Sequence, residues 1–195
     1  MRFATTVTTA PTAEPVTLSE AKDYTKVEVS DDDTLINDLI TSARLYVENY
    51  TRRALITQTI TMKIDWHFPH VIELLPDLQS VTAASFTYVD SNGDTTQVPT
   101  ATYTVDTTSD PGRVYLAYNQ TWPTVRMQRQ AISVVFVTGY GDNGSSVPEP
   151  IRTAIKMMVT YHYETRQPHA QAIGGTIINF PRTVDDLLMP YVILI

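Results

Sequence analysis

At 195 residues the chain is long enough for one ordinary domain, or for a compact core with an elaboration. Its 43% hydrophobic and 18% charged content is that of a folded globular protein, and 7 Gly, 12 Pro and 11 Tyr among abundant Thr and Val tilt it towards β-structure. The formal net charge of -7 argues against a protein that grips nucleic acid by neutralising phosphates, though not against one that DNA slides past, and the lack of cysteine excludes disulfides, thiolate nucleophiles and Cys-based zinc sites.

Residues 1–16 are rich in Thr, Ala and Pro and read as an extended arm. They contain no apolar stretch of signal-peptide length, and no run elsewhere reaches transmembrane length, so a soluble, unprocessed protein is expected. The tetrad Thr17-Leu18-Ser19-Glu20 forms a capping box, which predicts a short helix over Leu18 to Lys26. Ser30-Asp31-Asp32-Asp33 opens a second helix, with its acids where the positive end of the helix dipole favours them rather than in a metal site. Leu35, Ile36, Leu39, Ile40, Ala43, Tyr46, Val47 and Tyr50 recur at helical spacing behind it. Arg52-Arg53 ends this helix, where cations meet the negative end of the dipole.

From Ala54 the period changes to two. ALITQTITMKID, VIELL, QSVTAASFTYVD, TTQV, TYTVDT, RVYLAY and AISVVFVTG alternate, or run apolar, between turn residues. Asn92-Gly93 between two such runs predicts a hairpin in which both residues tolerate positive φ, and Asp110-Pro111-Gly112 marks a second tight turn. The region reads as an antiparallel sheet or small sandwich. Pro148 and Pro150 then start a third helix, with Ile151, Ala154, Ile155, Met158, Val159, His162 and Tyr163 along one face. After Arg166 the chain turns irregular, through QPHAQAIGGTIINFP, and ends on RTVDDLLMPYVILI. So apolar an end requires burial, either in its own core or against a neighbouring subunit or partner.

The expected class is therefore α+β: a small helical bundle with an inserted antiparallel β-sheet or sandwich module and an extended C-terminal tail. The segments are an arm at 1–16, two helices at 17–53, the β-rich module at 54–147, the third helix at 148–167 and the tail at 168–195.

No motif makes a case for catalysis. Gly139-Tyr140-Gly141-Asp142-Asn143-Gly144 satisfies G-x-G-x-x-G, but a dinucleotide site needs its helix to begin inside the glycine turn and a second strand to follow. Here the prolines delay the helix, and the turn closes a β-region rather than opening a βαβ unit, so the glycines read as turn residues. His67 and His70 flank a Pro without a third ligand in reach, and His162 and His169 are distant in sequence. Asp185-Asp186, Asp31 to Asp33 and Glu73 with Asp77 carry no spacing that brings two carboxylates to a working separation. Arg126 and Arg129 complete the few basic concentrations. Catalytic, cofactor-binding and metal-binding residues are expected to be none, and cofactors none.

The segment PVTLSEAKDYTKVEVSDDDTLINDLITSARLYVENYTRRALITQT resembles the N-terminal signature of the head–tail connector (adaptor) proteins of long-tailed bacteriophages. The likeness runs through Pro15, Leu18, Glu20, Ala21, Lys22, Asp32, Asp33, Leu35, Ile36, Leu39, Ile40, Ala43 and Arg44. It continues at the junction Tyr50, Thr51, Arg53, Leu55, Ile56, Gln58 and Thr59. LLPDLQSVTAASFTYVDSNGD, PGRVYL, Trp122-Pro123, VTGYGDNGSSVPEPIRTAI and Tyr163-Glu164-x-Arg166 follow in family order. The closing DDLLMPY is similar to the family's L-L-x-P-Y, where an Arg commonly comes next and Val192 stands here.

The resemblance implies a non-enzymatic virion protein of the neck. It implies a homo-oligomeric ring, usually a dodecamer, between the portal protein and a downstream neck, stopper or tail-completion protein. DNA would pass through its channel without specific binding, no membrane would be involved, and assembly would take place in the host cytoplasm. It also implies a portal-facing tail, carried here by Leu187, Leu188, Pro190 and Tyr191. The competing reading is a non-catalytic β-rich module binding carbohydrate or a host protein, with Trp66 and Trp122 lining a groove. That reading leaves the capped N-terminal helices unexplained.

Overall fold

The structure, a computed structural model, describes residues 3–75, 77–165 and 182–193. The irregular stretch after the third helix, with His169 and Arg166, lies outside the described residues, as do the last two residues. The chain divides into two compact units. One is Thr57–Tyr140 with the described residues up to Thr12; the other is Ala13–Ile56 with the described residues from Gly141 onward.

The second unit is helical. Helix α1 spans Leu18–Thr25, α2 Asp33–Thr51, α3 Glu149–Glu164 and α4 Arg182–Leu188. The capping box forms as read: Thr17 Oγ1 accepts from the Glu20 N–H, and Glu20 Oε2 accepts from the Thr17 N–H at 2.9 Å. Lys26 ends α1 in the left-handed region, with φ of 61°. Helix α3 packs on α1, α2 and α4, burying Ile151, Ala154, Ile155, Met158 and Val159. Against them α2 buries Ile36, Ile40, Ala43 and Val47, each worth about 1.5–3 kcal/mol if its side chain is fully removed from water, Ala less. The stripe on α2 is wider than the buried face: Leu35, Tyr46 and Tyr50 are exposed, and the two tyrosines stack with ring centroids 6.0 Å apart. His162 on α3 is likewise exposed rather than buried.

The first unit is built from nine strands among the described residues. They are β1 (Phe3–Thr9), β2 (Gln58–Ile64), β3 (Val71–Glu73), β4 (Leu78–Val81), β5 (Thr87–Val89), β6 (Thr95–Gln97), β7 (Tyr103–Asp106), β8 (Arg113–Leu116) and β9 (Ile132–Thr138). One antiparallel sheet runs β1-β2-β9-β5-β6, with β4 also paired to β9; the other runs β3-β8-β7. Alternation sets the register. Ile60, Met62 and Ile64 on β2 face Phe136, Val134 and Ile132 on β9, and all six are buried. Ile72, Leu74, Leu78, Phe86, Val98, Tyr103 and Val114 complete this core.

Two local features go further than the sequence reading or differ from it. The first is the N-terminal arm, of which Phe3–Thr9 is extended as read and, further, pairs with β2 as a sheet strand. The second is the Asn92-Gly93 turn. Only Gly93 takes positive φ there, at 98°, while Asp90 Oδ1 accepts from the N–H groups of Asn92, Gly93 and Asp94. The carboxylate pins the loop, so the Asn has no need of a left-handed backbone.

Candidate assembly surface

The G-x-G-x-x-G run is a turn. A Cβ on Gly144 would stand 2.5 Å from the Pro15 carbonyl oxygen, so this glycine is there to let two backbone segments touch. A short 3-10 turn, Gly144–Ser146, intervenes before α3 starts at Glu149. The helix dipole therefore does not point into the glycine loop as a pyrophosphate cradle requires.

The charged residues of the N-terminal motif are occupied with one another. Arg152 on α3 donates through Nε to the Pro15 carbonyl at 3.1 Å, through Nη1 to Glu149 at 2.6 Å, and through Nη2 to Glu20. The Thr17 N–H holds the Glu20 carboxyl below its ordinary range, with Arg152 adding to the effect against some desolvation. Lys22 Nζ reaches the Val29 carbonyl and Asp33, the latter at 2.5 Å. Tyr163 on α3 donates to Asp32 at 2.5 Å. Two of the three acids that open α2 therefore tie it to α1 and α3, beyond the dipole role that the sequence suggested.

Arg44 forms a second node. Its Nε bonds Glu14 and its Nη1 bonds Glu48, both at 2.8 Å, while Glu48 Oε1 accepts from the Leu55 N–H at 3.0 Å. Burial pushes the Glu48 carboxyl up, opposed by the Leu55 N–H and Arg44.

The tail is anchored to the end of α2. Arg53 is buried, and its Nε donates to the Tyr191 carbonyl at 2.7 Å; the Ile193 N–H donates to the Thr51 carbonyl at 3.2 Å. Arg52, not Arg53, caps the helix, so Arg53 acts as an anchor for the tail rather than as a cation on the helix dipole. Val184 and Leu188 of α4 are fully buried. Of the four tail residues expected to meet a partner, Leu188 thus fills the chain's own core, Leu187 and Tyr191 are half-buried, and Pro190 is exposed beside the exposed Met189.

The remaining candidates do not converge. His67 and His70 are exposed, Glu73 pairs loosely with Arg113 at 3.9 Å, and no group of three His, Cys, Asp or Glu suited to a metal occurs among the described residues. Arg126 and Arg129 are exposed, the former with its guanidinium over Gly93. Trp122 packs, partly buried, against the core of the β-rich unit. It stacks on Phe68 at 4.5 Å between centroids, meets Phe86 edge-on, and donates its indole N–H to the Pro69 carbonyl at 3.1 Å. Trp66 is about half exposed.

Large apolar side chains do lie on the surface: Phe3, Val7, Tyr118 and Met127 in the β-rich unit, and Leu35, Leu45, Tyr46, Tyr50 and Met189 in the helical one.

The fold is thus a mixed α+β one whose motif charges engage groups within the chain, with several large apolar side chains left on the surface. The chain belongs to the head completion protein family, whose model matches residues 14–195. Its fold is that of chains in the neck of an empty GTA particle computed with C6 symmetry, at a TM-score of 0.79 and 19% identity over 98% of this chain and 96% of that one. A chain of the virion of the native gene transfer agent (GTA) particle is similar at 0.77 and 19%, over 97% and 95%. A chain of the native GTA neck computed with C12 symmetry is similar at 0.72 and 20%, over 100% and 96%. No curated protein matches.

Proposed function

We propose that this protein is a structural component of a phage-type virion neck. Copies of it form a ring, a dodecamer, that joins the portal of the head to the next neck or tail-completion component and continues the DNA channel. The observation that carries this reading is the fold shared along nearly the whole chain with proteins of GTA necks, one of them treated with twelvefold symmetry, by a member of the head completion family. The net charge of -7 suits a channel wall that should not retain DNA. The role in this reading is structural: among the described residues the motif's charged side chains hold helices together.

Leu187, Pro190 and Tyr191 carry the portal contact in this reading. Leu188 seats α4, which carries Leu187 and leads into the 3-10 turn Met189–Tyr191 that holds the other two. Mixing purified protein with its portal should give a co-migrating ring visible by electron microscopy, and absence of any binding by the intact protein would overturn the reading. Removing residues 183–195 would also strip Val184 and Leu188 from the core, so the tail is better tested by Pro190→Glu and Leu187→Asp. These should weaken portal binding while the protein keeps its melting temperature within a few degrees.

A further inference from the structure

The larger sheet extends one strand beyond its own core. In an antiparallel ladder, residues directly opposite one another project to the same face. Phe3, Thr5 and Val7 of β1 stand opposite Ile64, Met62 and Ile60 of β2, and so lie on the core side of the sheet. Those three β2 residues are 2%, 4% and 3% exposed, yet Phe3 is 59% and Val7 51% exposed. Every residue of β1 is exposed, and neither Phe3 nor Val7 joins the core cluster. The strand also ends the sheet, with its outer edge unpaired among the described residues.

Proteins normally blunt such an edge with charge or proline, because bare N–H and C=O groups beside apolar side chains invite a further strand. The sequence Phe3–Thr9, FATTVTT, has neither; its one irregularity is a register shift between Val7 and Thr9. Ordering seven residues without burying a side chain gives little return within one chain. The return comes from whatever covers them.

We propose that β1 is a contact strip for a second copy of this chain, which covers Phe3 and Val7 and pairs along the free edge. The proposal rests on the ring reading above and names one surface by which neighbours meet. The ring reading supplies the occupant, since each copy in a closed ring has another copy on either side. Two copies that each carry -7 meet at least cost through an uncharged surface, whereas DNA would need cations that the strip does not hold. At one end, Phe3 and Ala4 share a recess with Lys63, Asp65, Arg129 and Gln130, a polar rim beside the apolar strip. An edge that accepts a different part of the next copy is heterologous, the kind of contact that closes rings.

The chain has no cysteine, so a single introduced thiol reports one position. In Val7→Cys the thiol should react readily with a maleimide in dispersed protein, and about tenfold or more slowly once rings have formed with the portal. Val7→Glu should fold and melt like the parent, since position 7 is exposed in the free chain, but should fail to form rings. A photoreactive phenylalanine analogue at Phe3 should cross-link two copies of the chain within the ring. Rings in which the Val7→Cys thiol stays fully reactive, normal rings from Val7→Glu, or a cross-link to the portal instead of a second copy would each overturn the proposal and leave the ring standing. Failure of the parent protein to form a ring with its portal would remove the ring reading and this surface together.

Discussion

Arg53 Nε donates a 2.7 Å hydrogen bond to the backbone carbonyl of Tyr191, 138 residues further along the chain. This bond joins the Y-T-x-R junction after α2 to the closing L-L-x-P-Y, two motifs that stand far apart in sequence and share no periodicity. Replacing Arg53 by Ala should cost about 1.5–3 kcal/mol, the range for a hydrogen bond from a charged group. It should also speed amide exchange at Val192 and Ile193 before any change in the β-rich unit. Urea denaturation with native-state hydrogen exchange reads both. Equal protection of the tail in parent and variant would show that apolar burial alone holds it.

Leu188 and Pro190 lie two residues apart with opposite exposure. Leu188→Ala should destabilise the helical unit by about 2–5 kcal/mol, because it empties a fully buried site. Pro190→Ala should stay within about 0.5 kcal/mol, as expected of a surface position. Chemical denaturation of both variants checks the pair. A small loss for Leu188→Ala would mean that α4 is not seated in this core.

Glu20 and Glu48 should give the protein's stability opposite pH dependences. The Glu20 carboxyl is lowered by the Thr17 N–H and by Arg152, so its contribution is present above the ordinary value of 4.5 and is lost as pH falls through the lower folded value. The Glu48 carboxyl is raised by burial, so its contribution is full below 4.5 and is lost as pH rises through the raised folded value. Glu20→Gln should therefore flatten the stability curve on the acid side of 4.5, and Glu48→Gln on the other side. Denaturation midpoints measured across that range decide the matter, and curves parallel to the parent would remove both assignments.

Trp122→Ala should cost about 3 kcal/mol, the lower end for losing a packed aromatic, because the ring stacks on Phe68 and its N–H is satisfied by Pro69. Trp66→Ala, at a position about half exposed, should cost less than about 1 kcal/mol. Thermal melts distinguish the two. If instead a glycan pull-down were lost with either tryptophan while stability held, the binding-module reading would return.

Much of this was legible along the chain because it depends on neighbours in sequence. The Thr17/Glu20 capping box, the onset of α3 behind Pro148 and the alternation of β2 and β9 are local patterns, and each appears where it was read. The positions that misled are those where a distant partner intervenes. The acids at Asp32 and Asp33 read as residues favoured by the helix dipole alone, yet Tyr163 and Lys22 meet them. Arg53 looked like a dipole cation until the tail reached it. Tyr46 and Tyr50 continued the helical stripe of α2, yet remain exposed because the stripe is wider than the face that packing covers.

The sequence by itself determined most element types (β1 and α4 excepted), the class and, through its motif, the family resemblance, since caps, periods and turn residues act over a few residues. Only the tertiary structure decided what the motif's charges are for, and that Leu188 fills the chain's own core. It alone also showed that β1 carries the buried face of the sheet beyond its core. Each of those outcomes depends on which distant surfaces meet and how far one layer overlaps another, and no local period encodes that.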